Sequence, residues 1–81
     1  MTISSKAEVE KLQETLRQCG GDVWIENVRG ERVDLKDELG FFQGVAKLIG
    51  NENGEYELFA RRSEDECRLM DFCFWQTRKA G

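Results

Sequence analysis

DVWIENVRGERVDLKDELGFFQGV, residues 22–45, carries two strands, a tight turn and a short helix in one run. Val23 and Ile25 alternate with Trp24 and Glu26, so the two pairs fall on opposite faces of a strand. Asn27 to Glu31 is the turn, with Gly30 supplying a positive φ. Arg32, Val33, Asp34 and Leu35 form the return strand, with Val33 and Leu35 inward. The whole is an antiparallel hairpin. Asp37 to Val45 then reads as a short helix, for which Asp34 or Asp37 can serve as cap and whose N-terminal acids Asp37 and Glu38 suit the helix dipole. Gly40 and Gly44 each cost up to ~1 kcal/mol relative to alanine, so this helix needs packing to form. Val45, Leu48 and Ile49 lead the chain back to the core.

Working outward toward the N-terminus, Thr2 and Ile3 suggest a short strand at a sheet edge. Ser5-Lys6-Ala7-Glu8 fits a capping box, with Ser5 as N-cap. Val9, Leu12, Leu16 and Cys19 follow on one helical face. Gly20 and Gly21 are expected to end that helix in the left-handed conformation favoured at C-caps. Toward the C-terminus, Gly50 to Gly54 reads as a loop. Tyr56, Leu58 and Ala60 alternate with Glu57, Phe59 and Arg61 as a third strand. Ser63-Glu64-Asp65-Glu66 is a second capping box, opening a helix to about Gln76. In that helix Cys67, Leu69, Met70, Cys73 and Phe74 share an expected core face, which leaves Phe72 and Trp75 beside Arg68 and Asp71 on the solvent side. Thr77 to Gly81 is expected to fray. Each helix and the sheet has one apolar face, so the economical arrangement is a two-layer α+β open-faced sandwich. Its antiparallel sheet of three or four strands carries two long helices and one short one on one face, in a single domain of residues 1–76.

Composition narrows the chemistry. The 81 residues include 40% hydrophobic and 35% charged side chains, enough apolar content for a thin single core. The net charge of −4 argues against nucleic acid as a partner. There is no histidine, so the commonest general base, metal ligand and phosphoryl acceptor is missing. Cys19, Cys67 and Cys73 are odd in number and lack C-x-x-C spacing, which points to reduced core thiols in a cytoplasmic protein rather than a metal site or a disulfide framework. No signal peptide is discernible and no apolar run is long enough to cross a bilayer. No cofactor motif is present.

The order of elements, with Leu35-Lys36-Asp37-Glu38-Leu39-Gly40 opening the short helix, resembles the histidine-containing phosphocarrier protein (HPr) family of the bacterial sugar phosphotransferase system, over about Ser5 to Trp75. In that family the motif is alanine-lysine-serine-isoleucine-methionine-glycine, followed by a strand, an acidic segment and a long helix, as in Glu55 to Trp75 here. The resemblance implies a phosphoryl-accepting histidine before the first helix and an arginine two residues later. Those positions fall on Ser5 and Ala7, neither of which can carry phosphoryl transfer. A serine ester lacks the transfer potential of a phosphoimidazole, and Ala7 has no guanidinium to hold the anion. Asp37 falls where many Gram-positive members carry a serine that a kinase phosphorylates. Its carboxylate is read either as a fixed imitation of that phosphate or as an ordinary helix cap. The family docks partners on the exposed apolar face of this helix; Leu39 and Phe42 occupy two such positions, and Glu38 replaces an apolar residue at a third.

These readings converge on a non-catalytic HPr-like binding or regulatory module acting through protein contacts. The expected partner surface comprises Asp37, Leu39, Phe42, Phe72 and Trp75, exposed aromatic residues being a mark of interfaces. A homodimer is one simple way to cover such a patch. The alternative is a small acidic inhibitor or adaptor unrelated to the phosphotransferase system. Catalysis finds no motif, since the acidic residues spread over solvated helix faces and the cysteines lack a histidine base.

Overall fold

The computed structural model describes residues 2–51 and 53–80. The elements are α1 (Lys6–Gln18), β1 (Val23–Asn27), β2 (Arg32–Asp34), α2 (Glu38–Leu48), β3 (Tyr56–Ala60) and α3 (Ser63–Ala80). Three antiparallel strands form a sheet in the order β2-β1-β3, with Ile25 opposite Val33 on one side and Leu58 on the other. The inward residues Val23, Ile25, Leu35, Tyr56 and Ala60 join Leu12, Leu16, Phe41, Leu48, Leu69 and Phe72 in one core. The alternate residues Trp24, Phe59 and Arg32 lie on the other face. There Trp24 stacks on Phe59 at 6.0 Å and the Arg32 guanidinium sits 3.8 Å from the Trp24 ring. This is the expected α+β open sandwich.

The hairpin follows the alternation of its sequence. Gly30 takes φ +84, and the Asn27 side-chain oxygen accepts from the Arg29 and Glu31 amides, which closes the turn. Asp37 is the N-cap of α2, its Oδ2 accepting from the Gly40 amide at 3.0 Å. The helix runs through Leu48, one turn beyond the expected end at Val45. Its two glycines explain themselves by close approach. A Cβ on Gly40 would run into the Asp34 carbonyl oxygen, and one on Gly44 into the Leu35 side chain. Spaced four apart, they let α2 lie directly on β2 and Leu35.

Several expectations need correcting. Thr2 and Ile3 are not an edge strand. The Ile3 amide and the Thr2 hydroxyl both donate to the Leu48 carbonyl, at 3.1 and 3.0 Å, and Ile3 is buried. A segment this short gains little from a ladder, whereas the Leu48 carbonyl at the C-terminus of α2, which also accepts from the Asn51 amide at 3.2 Å, has no i+4 partner within the helix and takes these donors. Gly20 and Gly21 are not left-handed, since positive φ occurs only at Gly30 and Gly54 among the described residues. The end of α1 is instead held by Lys36, whose Nζ donates to the Leu16 and Cys19 carbonyls at 2.9 and 2.6 Å. The two glycines are small because the Arg62 side chain lies against them. Their amides donate to the buried Asp65 carboxylate at 3.2 and 2.8 Å, and Arg68 adds a third bond. Burial would raise the Asp65 pKa, but the Gly21 and Gly20 amides and Arg68 outweigh it and hold the carboxyl below its ordinary value.

The last helix differs most from expectation. It starts at Ser63, with the Arg62 carbonyl accepting from the Asp65 and Glu66 amides, and it continues past Gln76 to Ala80; Gly81 lies outside the described residues. Its buried stripe is Asp65, Leu69 and Phe72, with Phe72 1% exposed. Met70 and Phe74, assigned above to the core, are 56% and 58% exposed, and Cys67 is exposed too. The stripe begins on a charged residue, so a reading that placed all acids outside rotates the helix by more than a quarter turn at 100° per residue.

Candidate docking face and the Ser5 position

The residues singled out from the sequence separate into three places. Leu39 and Phe42 lie on the outer surface of α2, 65% and 66% exposed, while their neighbour Phe41 is buried beneath and meets Phe42 edge to face at 6.1 Å. Phe72 belongs to the core and not to a surface. Trp75 is half-buried, stacked on Phe72 at 6.0 Å with the Lys11 ammonium 5.9 Å from its ring. The expected patch of α2 and α3 aromatics is therefore not one patch. Asp37 stands at the start of α2, exposed and engaged as its cap.

The α2 surface is larger than the sequence reading implied. Because the helix continues to Leu48, Ala46 and Ile49 extend the row begun by Leu39 and Phe42; both are exposed, Ile49 at 54%. Leu39, Phe42, Ala46 and Ile49 fall at i, i+3, i+7 and i+10, one apolar stripe along the helix. The signal was available, since the period runs unbroken through Gly44 to Ile49, but from sequence Val45, Leu48 and Ile49 read as leading back to the core. The glycines lie on the opposite, sheet-facing side, so they hold the helix down and leave the apolar stripe turned to solvent. Beside Phe42, a shallow hollow between α1 and the start of α2 is floored by Leu16, Leu35 and Phe41 and rimmed by Arg17, Lys36 and Glu38. An apolar strip with a charged rim is the usual anatomy of a protein-docking face.

Ser5 is the N-cap of α1. Its Oγ accepts from the Glu8 amide at 3.2 Å and donates to the Glu8 carboxylate at 3.1 Å. Glu8 is buried and also receives the Ser4 amide and hydroxyl and the Gln76 amide nitrogen, the last at 2.6 Å. Burial pushes the Glu8 pKa up, but bonds from Ser4, Gln76 and Ser5 prevail and hold it below the ordinary value. A phosphoryl group on Ser5 would thus sit against an ionised carboxylate, with Ala7 offering nothing to hold it.

The thiols form no disulfide. Burial raises the pKa of Cys19, with the Asp65 charge adding to it, and burial likewise raises that of Cys73, so both stay as thiols at neutral pH. Among the described residues no three Cys, Asp or Glu side chains converge as a metal-ligating group, and no helix is long and apolar enough to cross a membrane.

Fold and surface together define a two-layer α+β domain whose α2 presents an uncovered apolar face. The chain matches no protein-family model, no curated protein and no solved structure.

Proposed function

We propose that this protein is a non-catalytic, HPr-like binding or regulatory module that receives a protein partner on the exposed face of α2. The observation that carries the reading is the apolar stripe Leu39, Phe42, Ala46 and Ile49, turned to solvent by a helix whose glycines press its other side onto β2. The order of helix, hairpin, short helix, strand and long helix supports the family likeness. The Ser5 hydroxyl, occupied in capping α1 and bonded to Glu8, supports the absence of phosphoryl transfer. Asp37 supplies the α2 cap with a permanent negative charge, so the helix is held in place without modification.

The test is quantitative capture from the native host with the wild-type chain and a Leu39→Ser, Phe42→Ser variant that retains the wild-type circular dichroism spectrum. One discrete protein is expected with the wild type and lost with the variant. Equal capture by both would remove α2 from consideration.

A further inference from the structure

We infer that the open edge of β3 is self-complementary and pairs antiparallel with β3 of a second copy of this chain, about a two-fold axis at Phe59. The sheet order leaves β3 with one neighbour, β1. The phase of the ladder tells which backbone groups face outward. Val23 accepts from Leu35 and Asn27 donates to Glu31, so the odd residues of β1 address the β2 side. Trp24 and Glu26 therefore address their β3 partners Phe59 and Glu57, and the Arg61 amide continues this series to the Asp22 carbonyl. Tyr56, Leu58 and Ala60 turn their amides and carbonyls the other way.

Two features close the ends of this edge and leave its middle open. The Asn51 side chain takes both Tyr56 groups, donating to its carbonyl and accepting from its amide at 2.9 Å each. Beyond Ala60, the Arg62 carbonyl is taken by the Asp65 and Glu66 amides. The amides and carbonyls of Leu58 and Ala60 have no hydrogen-bond partner among the described residues and form the window, although the two side chains turn inward and Ala60 is only 7% exposed. Alongside runs a groove between β3 and α3, lined by Leu58, Phe59, Ala60, Met70 and Phe74. Within this window the edge carries neither the lysine nor the proline that usually protects such a strand.

The side chains choose the occupant and the register. With the axis at Phe59, Leu58 of each copy lies opposite Ala60 of the other, and the two open pairs exchange four backbone hydrogen bonds. Phe59 meets its own copy at a non-hydrogen-bonded position, where side chains approach closest. Glu57 then faces Arg61 of the second copy, twice, on the outer face of the sheet. Arg61 already bonds Asp22 through Nε, and its guanidinium has further donors to give. Moving the axis to Leu58 sets Ala60 against Tyr56, whose groups Asn51 occupies. Moving it to Glu57 sets like charges together. Moving it to Ala60 sets Leu58 against Arg62, whose carbonyl the Asp65 and Glu66 amides occupy, so pairing about Phe59 satisfies both the open backbone and the charges. The face is independent of the docking stripe, because α2 packs on β2 at the other edge of the sheet.

Sedimentation equilibrium over a range of about 1 µM to about 1 mM, concentrations that bracket weak self-association, tests this. The wild type is expected to rise from 9.4 kDa toward twice that mass. Glu57→Arg and Arg61→Glu each place like charges opposite one another, so each alone should associate roughly tenfold or more weakly. Mixed in equal amounts, the two variants become complementary and should regain wild-type association. A wild type that stays at 9.4 kDa throughout would overturn the inference. So would single variants that associate as the wild type does, a mixture that fails to recover, or a dimer abolished by Leu39→Ser, Phe42→Ser, which leaves β3 untouched.

Discussion

Phe72 and Phe74 sit two residues apart on α3 and should respond oppositely to truncation. Phe72 is 1% exposed and stacked on Trp75, whereas Phe74 is 58% exposed. Phe72→Ala removes a whole ring from a closed core that cannot refill the space, a loss of about 3–5 kcal/mol. A chain of 81 residues has a total stability of about 4–12 kcal/mol at typical values per residue, so the loss takes a quarter or more of it. At ~4–8 °C per kcal/mol for a domain of this size, Tm should fall by at least ~12 °C. Phe74→Ala removes a ring already mostly hydrated, and alanine's better helix propensity offsets part of the lost contact, so its cost should stay within ~1 kcal/mol. Urea denaturation followed by far-ultraviolet circular dichroism measures both; tryptophan fluorescence is a poor sole probe because Trp75 lies on Phe72. The two midpoints should differ by roughly 2–5 M for a slope near ~1 kcal/mol/M. Equal midpoints, or a larger loss for Phe74→Ala, would refute the orientation of α3 described above.

Gly40→Ala tests the contact between α2 and β2. Helix propensity favours alanine by ~1 kcal/mol, but overpacking costs ~1–3 kcal/mol, and here the obstacle is the Asp34 backbone carbonyl, which cannot rotate aside. A net loss is expected in the same urea assay, and a stabilised variant would contradict the contact. Stability should also fall in acid. The folded pKa values of Glu8 and Asp65 lie below their ordinary values of 4.5 and 3.8, so the unfolded chain binds more protons than the native one in this range. Their contribution is complete above the unfolded values and disappears as pH falls through the folded ones. Thermal unfolding at pH values from neutrality to about 2.5 should show that decline, and it should be shallower in Glu8→Gln and Asp65→Asn than in the wild type.

The hairpin and α1 were legible in the sequence because their signals are local. Strand alternation at Val23 to Glu26, Gly30 in the turn and Ser5 before an amphipathic run each fix a backbone conformation without reference to anything distant. What failed depends on partners far along the chain. Gly20 and Gly21 look like a left-handed helix end, yet their environment is Arg62 and Asp65, more than 40 residues away. The α3 face was misread because Asp65 is a buried acid, and only its three donors explain how a carboxylate can head a core stripe. Gly40 and Gly44 signalled a weak helix when taken by propensity; against β2 they are the reason the helix fits. On the outer face of α2, Leu39 and Phe42 were singled out from the sequence, whereas Ala46 and Ile49 required the true length of α2. The open window at Leu58 and Ala60 has no sequence signature of its own, since it depends on Asn51 occupying Tyr56.

The central claim is that the outer face of α2 meets a protein partner, and photocrosslinking in the native host tests it most directly. A benzophenone amino acid in place of Phe42 puts the reactive group in the middle of the stripe, and the same group in place of Glu14, exposed on α1, is the control. The account predicts a light-dependent adduct of one defined mass from position 42, absent from position 14 and suppressed by excess wild-type chain but not by excess Leu39→Ser, Phe42→Ser chain. No adduct from position 42, or the same adduct from both positions, would contradict it.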